Sequence, residues 1–185
     1  MIARQADWVT EDVTGSLDEI DWGSLALSLD ALDLVDTRKG QLALARIIGV
    51  ERLQAAVDWY IAGRPGAELA RFALWRLQPP AARDRCVEVW RSAQEPIQRQ
   101  LAVELLRVVA TSEDLGLIGE FLDDEDEGVQ VWGVGVLDQL IWSRQVEPED
   151  AAALLEIAAN HPNKDVRERC EFIREVVRDR DVAGG

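Results

Sequence analysis

The side chains that could carry acid–base or nucleophilic chemistry are few in this chain of 185 residues. It has one histidine, His161, and two cysteines, Cys86 and Cys170, which lie far apart. A catalytic triad or a histidine- or cysteine-based zinc site needs more of these residues at closer spacing. Sequences typical of phosphate-binding loops, hydrolase nucleophile elbows and HExxH proteases are also missing. We therefore expect a protein that is not an enzyme and holds no cofactor or metal. The thiols are predicted to be small buried hydrophobes, and His161 to make local hydrogen bonds.

A run of acids at residues 123–127 (DDEDE) raises the possibility of a calcium site, because calcium prefers oxygen ligands. The run lacks the twelve-residue EF-hand pattern, with its glycine at the sixth position and its glutamate at the twelfth. Acids just before a helix also interact favourably with the positive end of the helix dipole. We interpret the run as a solvated turn that caps the next helix.

The formal net charge of −15 is spread unevenly. Residues 1–40 hold nine acids and three bases, residues 41–110 hold seven acids and ten bases, and residues 111–185 hold nineteen acids and seven bases. Binding to nucleic acid needs a continuous basic surface, so this distribution argues against it. An acidic surface can instead attract a basic protein partner, although it can also simply keep a protein in solution.

The elements that must position any site are helices, because alanine, leucine, arginine and glutamate dominate the composition. Apolar residues recur at helical spacing in paired segments that short turns separate. We predict one all-α domain over residues 1–185, with an irregular or capping segment at 1–21 and a flexible tail at 179–185. About five hairpins are expected: Leu25–Leu34 with Lys39–Ile48, Glu51–Ala62 with Glu68–Leu77, Ala81–Ser92 with Pro96–Ala110, Glu113–Leu122 with Val129–Trp142, and Pro148–Asn160 with Val166–Arg178.

The turns and second helices of these pairs resemble HEAT repeats. The best matches are residues 163–170 (NKDVRERC) and 124–133 (DEDEGVQVWG), in which an acidic or Asn-containing turn precedes Val-Arg or Val-Gln and then a small residue. Gln130, Gln98 and Ala70 stand where arginine is usual in such repeats. The resemblance covers about residues 38–178 and implies an α-α superhelix of stacked antiparallel hairpins, a solenoid. It also implies a binding role, with the second helices lining the concave face.

Helical-wheel positions on the second helices select the candidate partner-binding residues. In the segment Val129–Trp142, which is apolar nearly all round, the arc opposite the core holds Val131, Val134, Asp138 and Trp142. Either another part of the chain covers this arc, for instance the N-terminal segment with Trp8, or the arc is an exposed patch for a partner. The corresponding arcs of the other second helices add Arg71, Trp75, Arg99, Glu168 and Glu175.

These features favour a protein-binding module over an enzyme. The chain loosely resembles small HEAT-like immunity proteins of bacteria, which implies neutralisation of a basic, nuclease-like toxin. The alternatives are a HEAT-like scaffold or regulatory subunit and a HEAT-like chromophore lyase. Eighteen arginines against two lysines hint at a bacterial source. We expect a monomer or weak dimer in the cytoplasm, because neither a membrane span nor a signal peptide is evident.

Overall fold

The computed structural model describes the backbone of residues 38–184 and the side chains of residues 38–180. This part of the chain is 79% helical and has no strand. The all-α prediction is therefore confirmed for it. The predicted helix Leu25–Leu34 and the predicted capping segment 1–21 lie outside the described residues.

Nine α-helices and one short 3-10 helix make up the described fold. In chain order they are α1 (Arg38–Ile48), α2 (Val50–Ile61), α3 (Ala67–Leu77), α4 (Pro80–Ser92), α5 (Pro96–Val109), the 3-10 helix Ser112–Gly116, α6 (Leu117–Leu122), α7 (Glu127–Trp142), α8 (Ala152–Ala159) and α9 (Lys164–Gly184). Helix α9 continues to Gly184, whereas a flexible tail was predicted at residues 179–185. The predicted helix Glu113–Leu122 is instead the 3-10 turn followed by α6.

Neighbouring helices pack in pairs, and the pairs pack side by side. Helix α2 contacts α3, α4 contacts α5, α6 contacts α7, and α8 contacts α9. The second helix of each pair also contacts the second helix of the next, which gives the row α3, α5, α7 and α9. Helix α7 thus has packed neighbours on three sides, namely α5, α6 and α9. A helix in that position needs apolar residues around most of its circumference, which explains the composition of α7.

The buried faces follow the helical period. In α5 the fully buried residues Ala102, Leu105, Leu106 and Val109 recur at three- and four-residue steps, as expected for one helix face against a core. Proline opens both α4 and α5, where its missing N–H costs nothing. These signals explain why the predicted bounds of both helices are within one residue of those observed.

The contact between α6 and α7 depends on a glycine. A β-carbon added to Gly133 would lie 2.5 Å from Cβ of Phe121, whose side chain is completely buried. The two backbones can approach this closely only because position 133 carries no side chain. Gly133 therefore fixes how α7 sits on α6.

The acidic turn before α7 caps that helix, as predicted, but it is not wholly solvated, since the Asp124 side chain is only 4% exposed. Asp126 is the N-cap of α7, and its carboxylate accepts a hydrogen bond of 3.0 Å from the backbone N–H of Val129. The carboxylate of Asp124 accepts 2.9 Å and 2.5 Å hydrogen bonds from the indole of Trp90 and the guanidinium of Arg99. Two acids of the run thus tie α4, α5 and α7 together.

A second buried acid anchors the 3-10 helix. The Asp114 side chain is fully buried, forms an ion pair with Arg83 of α4 and accepts a 2.8 Å hydrogen bond from the backbone N–H of Thr111. Since an unpaired buried carboxylate would be costly, these contacts are what allow the turn to bury it.

The two cysteines and the histidine considered for chemistry all lie in packed or hydrogen-bonded positions of the fold. Cys86 and Cys170 are free and buried, as predicted. Nε2 of His161 lies 2.9 Å from the carbonyl oxygen of Leu122, and its Nδ1 accepts a hydrogen bond from the N–H of Asn163, so the ring joins the turn before α9 to the end of α6. Among the described residues, no His, Cys, Asp and Glu side chains group as a metal would require, and each helix is too short or too polar to cross a membrane.

Candidate partner-binding groove

A surface groove of about 400 Å³ lies between the C-terminal half of α7 and the second half of α9. Its apolar lining comes from Ile141 of α7 and from Ile173, Val176 and Val177 of α9. Ile141 and Ile173 are nearly buried, whereas Val176 and Val177 are half-buried. This groove contains two of the residues predicted from the sequence, Asp138 and Trp142.

Trp142 is the last residue of α7 and forms one wall of the groove. Its relative exposure of 68% is the largest of any tryptophan in the described part of the chain. The chain then turns sharply, with Arg144 at a φ of 57°, and the Ser143 hydroxyl donates a hydrogen bond to the carbonyl of Gln139. The helix ends in such a way that the indole is left uncovered by the described residues.

Asp138 lies one turn earlier, and its side chain is only 21% exposed. Its carboxylate is 3.6 Å from Nε of Arg169 in α9, and it also feels the charge of Arg107 in α5. Burial raises the pKa of Asp138 above its ordinary value, and the two arginines oppose this shift. The aspartate thus faces cations of its own chain and is not free to meet a basic partner.

Neither of these arginines was predicted from the sequence to belong to the site. Arg107 packs its guanidinium over the ring of Trp132, and Arg169 packs over Phe172, at 5.5 and 5.9 Å from the ring centroids. Each lies on a helix next to α7 in the row, so no spacing within α7 could identify them. The predicted stacking of the second helices was the signal available, because it places α5 and α9 beside α7, where their arginines can reach Asp138.

The two valines of the predicted patch do not share one environment. Val134 is completely buried, so of the two alternatives for this arc the exposed patch does not hold for this residue. Val131 is half-buried and packs against the core. The wheel assumed a single buried direction, whereas α7 is contacted on three sides. The proposed cover by the segment with Trp8 lies outside the described residues.

Arg71 and Trp75 lie on α3, which is separated from α7 by α5 in the row of second helices. Trp75 is 42% exposed and has edge-to-face contact with Phe72, with the guanidinium of Arg76 5.9 Å from its ring. Arg71 pairs with Glu68 of its own helix at 2.7 Å. These residues form a separate surface from the groove.

Arg99 occupies a different place from the one expected. Its side chain is 20% exposed and pairs with Asp124 at 2.5 Å and with Glu125 at 3.2 Å. Leu106, seven residues later on the same face of α5, is 1% exposed, so this face lies against the interior. Arg99 therefore holds the acidic turn onto α5.

Glu168 and Glu175 are exposed on α9. Glu168 forms a 2.9 Å ion pair with Lys164 one turn earlier. Glu175 lies one turn before Asp179, which lines the groove. The acidic edge of α9 therefore reaches the groove through Asp179, and Glu175 continues it.

This arrangement presents an apolar surface bordered by charged groups. An exposed indole beside an apolar floor offers contact area, and the charged groups around it can orient a partner. Compared with known proteins, the chain matches no protein-family model, no curated sequence and no solved structure.

Proposed function

We propose that this chain is a non-enzymatic protein-binding module, and most concretely a cytoplasmic immunity protein that neutralises a basic, nuclease-like toxin. The same proposal takes the helical pairs as a HEAT-like superhelix, with the groove at the α7–α9 end as the docking site. The serial contacts of α3, α5, α7 and α9 support the superhelix, because solenoid repeats contact only their neighbours.

The single observation that carries the proposal is the position of Trp142. It is 68% exposed, and it borders an apolar groove. Tryptophan is strongly enriched among the residues that dominate binding energy at protein interfaces. Each apolar group of the groove that a partner covers contributes to binding in proportion to the area removed from water.

The choice of a basic partner comes from the net negative charge of the C-terminal part of the chain that forms the groove. Residues 111–185 carry nineteen acids and seven bases. Asp138 already faces Arg107 and Arg169, so the attraction must come from the exposed acids, among them Glu175 and Asp179 of α9. Such a surface accelerates encounter with a basic protein, and the rate should fall as salt screens the charges beyond about 8 Å at physiological ionic strength.

Site-specific photo-cross-linking tests the proposal in the native host. A photoreactive phenylalanine analogue replaces either Trp142 or Ile157, which is 50% exposed on α8 and does not line the groove. We expect a basic protein to be cross-linked from position 142 and not from position 157. The captured protein, expressed alone, should arrest growth, and co-expression of the wild-type chain should relieve the arrest.

Two results would contradict the proposal. Equal capture from both positions would mean that the groove has no special role. A captured protein that is acidic, or whose toxicity the chain does not relieve, would remove the immunity function.

A further inference from the structure

We infer that the α7–α9 groove receives one amphipathic helix of the partner, with apolar anchors at positions i, i+4 and i+7 and basic residues on the flank that faces α9. This inference rests on the proposed function and specifies the partner element that the same site recognises. It specifies the secondary structure and the side-chain pattern of the partner segment that binds in the groove.

The length of the groove sets the spacing of the anchors. On α9 its lining extends from Ile173 to Arg180, which is about 10 Å at 1.5 Å per residue. A helix lying along α9 places residues i, i+4 and i+7 over the same distance on one face. The groove can therefore accommodate three consecutive anchors of one helix. An extended strand would pass the same length in about three residues and point alternate side chains away.

The chemistry of the lining sets the kind of anchor. The floor is aliphatic, through Ile141, Ile173, Val176 and Val177, and Trp142 stands at its edge. Aliphatic side chains of the leucine type can bury against such a floor, while the indole covers them from one side. Docking of an amphipathic helix into an apolar groove between two helices is a common mode of peptide recognition.

The charges at the two edges set the orientation of the basic flank. The α9 edge carries Asp179, which lines the groove, and the exposed Glu175 one turn earlier. Arg180 of α9 also lines the groove but lies 3.8 Å from Glu147, and Asp138 of α7 lies 3.6 Å from Arg169. The lining charges left without an ion pair among the described residues are therefore Asp179 on α9 and the exposed Arg144 just after α7. A helix with lysine or arginine on one flank therefore meets acids when that flank faces α9, and it would meet Arg144 in the reverse orientation.

Three stapled peptides of about 15 residues test this inference with the full chain, since free peptides of this length are only marginally helical. The first has leucines at i, i+4 and i+7 and lysines on one flank. The second has the same composition in scrambled order, and the third replaces each lysine by glutamate. Binding is measured by fluorescence anisotropy of a dye on each peptide. We expect the first peptide to bind at least about tenfold more tightly than the other two. A tenfold difference in Kd corresponds to about 1.4 kcal/mol of binding free energy.

Three variants locate the site. Trp142→Ala should weaken the first peptide about thirtyfold, as removal of a hot-spot residue does, and Trp142→Phe should retain most of the binding. Phe172→Ala is the matched control, because Phe172 is 49% exposed on α9 but does not line the groove, and this variant should bind normally.

Equal binding of ordered and scrambled peptides, or equal losses from Trp142→Ala and Phe172→Ala, would overturn the inference. Cross-linking of a basic toxin from position 142 without binding of the lysine peptide would reject the helix as ligand and leave the proposed function standing. Binding of the lysine peptide at Trp142 without capture of a basic toxin would support the helix inference and reject the immunity function.

Discussion

Two glycines of α7, only two residues apart, are expected to respond in opposite ways to alanine. A β-carbon at Gly133 would lie 2.5 Å from Cβ of Phe121, about 1 Å short of the separation that two carbons prefer. A β-carbon at Gly135 would have its nearest contacts at 3.5 Å, one of them Cδ of Arg107, which is an ordinary van der Waals distance. Phe121 cannot give way by rotating its side chain, because its own Cβ is the atom approached. Helix α6 would have to move away from α7.

The magnitudes follow from two opposing effects. Replacing glycine by alanine inside a helix gains about 1 kcal/mol of helix propensity at either position. Overpacking a buried contact costs about 1–3 kcal/mol, and this cost applies only to Gly133. We therefore expect Gly135→Ala to raise the free energy of unfolding by about 0.5–1 kcal/mol. Gly133→Ala should lower it by as much as about 2 kcal/mol.

Urea unfolding of both variants and the wild type, followed by far-ultraviolet circular dichroism, measures this difference. The midpoints should move in opposite directions while the dependence on urea concentration stays the same, because the surface exposed on unfolding is unchanged. The reasoning is refuted if Gly133→Ala is as stable as Gly135→Ala. In that case α6 does not approach α7 closely, and the placement of α7 that positions Trp142 is wrong.

Three further changes test the anchors and the groove. Asp114→Ala should cost about 2–4 kcal/mol of unfolding free energy, measured by urea unfolding, because it removes the buried partner of Arg83 and a hydrogen bond to the preceding turn; a loss below about 0.5 kcal/mol, typical of surface changes, would contradict this. Since burial raises the pKa of Asp138, its ionised form opposes folding, so Asp138→Asn should be the more stable protein at pH 7. The difference in stability between this variant and the wild type should shrink as pH falls through the folded-state pKa of Asp138 towards its ordinary value near 4. A difference that grows as pH falls, measured by thermal melts, would contradict the prediction. Trp142→Ala should cost only about 1–2 kcal/mol in thermal or urea unfolding, since about a third of a residue that can bury roughly 150–250 Å² is covered; a cost of about 3–5 kcal/mol would mean that the indole is packed under another segment.

The sequence predicted the helices well where local chemistry marks their ends. Helices α4 and α5 begin at prolines, and Gly66 precedes α3 with a φ of 78°, which an ordinary residue rarely adopts. The segment before α6 was predicted as helix because its residues have helical spacing. The structure has a 3-10 helix there, in which Asp114 is buried against Arg83, a contact with α4 that local sequence does not reveal.

The candidate site was predicted only in part, for a geometric reason. A helical wheel gives the angle of each residue around its helix but not the angles at which neighbouring helices pack. Trp142 lies on a side of α7 that no described helix covers. Val134, which is about 80° away around the same helix, is completely buried. Arg99 faces the acidic turn because the turn folds back over α5, which the period of α5 alone cannot indicate.

The position of Trp142 is the feature of α7 that packing does not account for. The contacts with α5, α6 and α9 explain why the earlier turns of this helix are apolar, since Val129, Val136 and Leu140 are all essentially buried. A polar residue at position 142 would spare the chain an exposed indole and would lose only the contacts of the third of the side chain that is covered. One turn earlier, burial raises the pKa of Asp138, so its charge is also held at a cost to folding. The groove thus contains a carboxylate that Arg107 and Arg169 already face and an exposed indole that packing does not require. The indole is what a binding surface needs, because residues selected for recognition are commonly retained against stability.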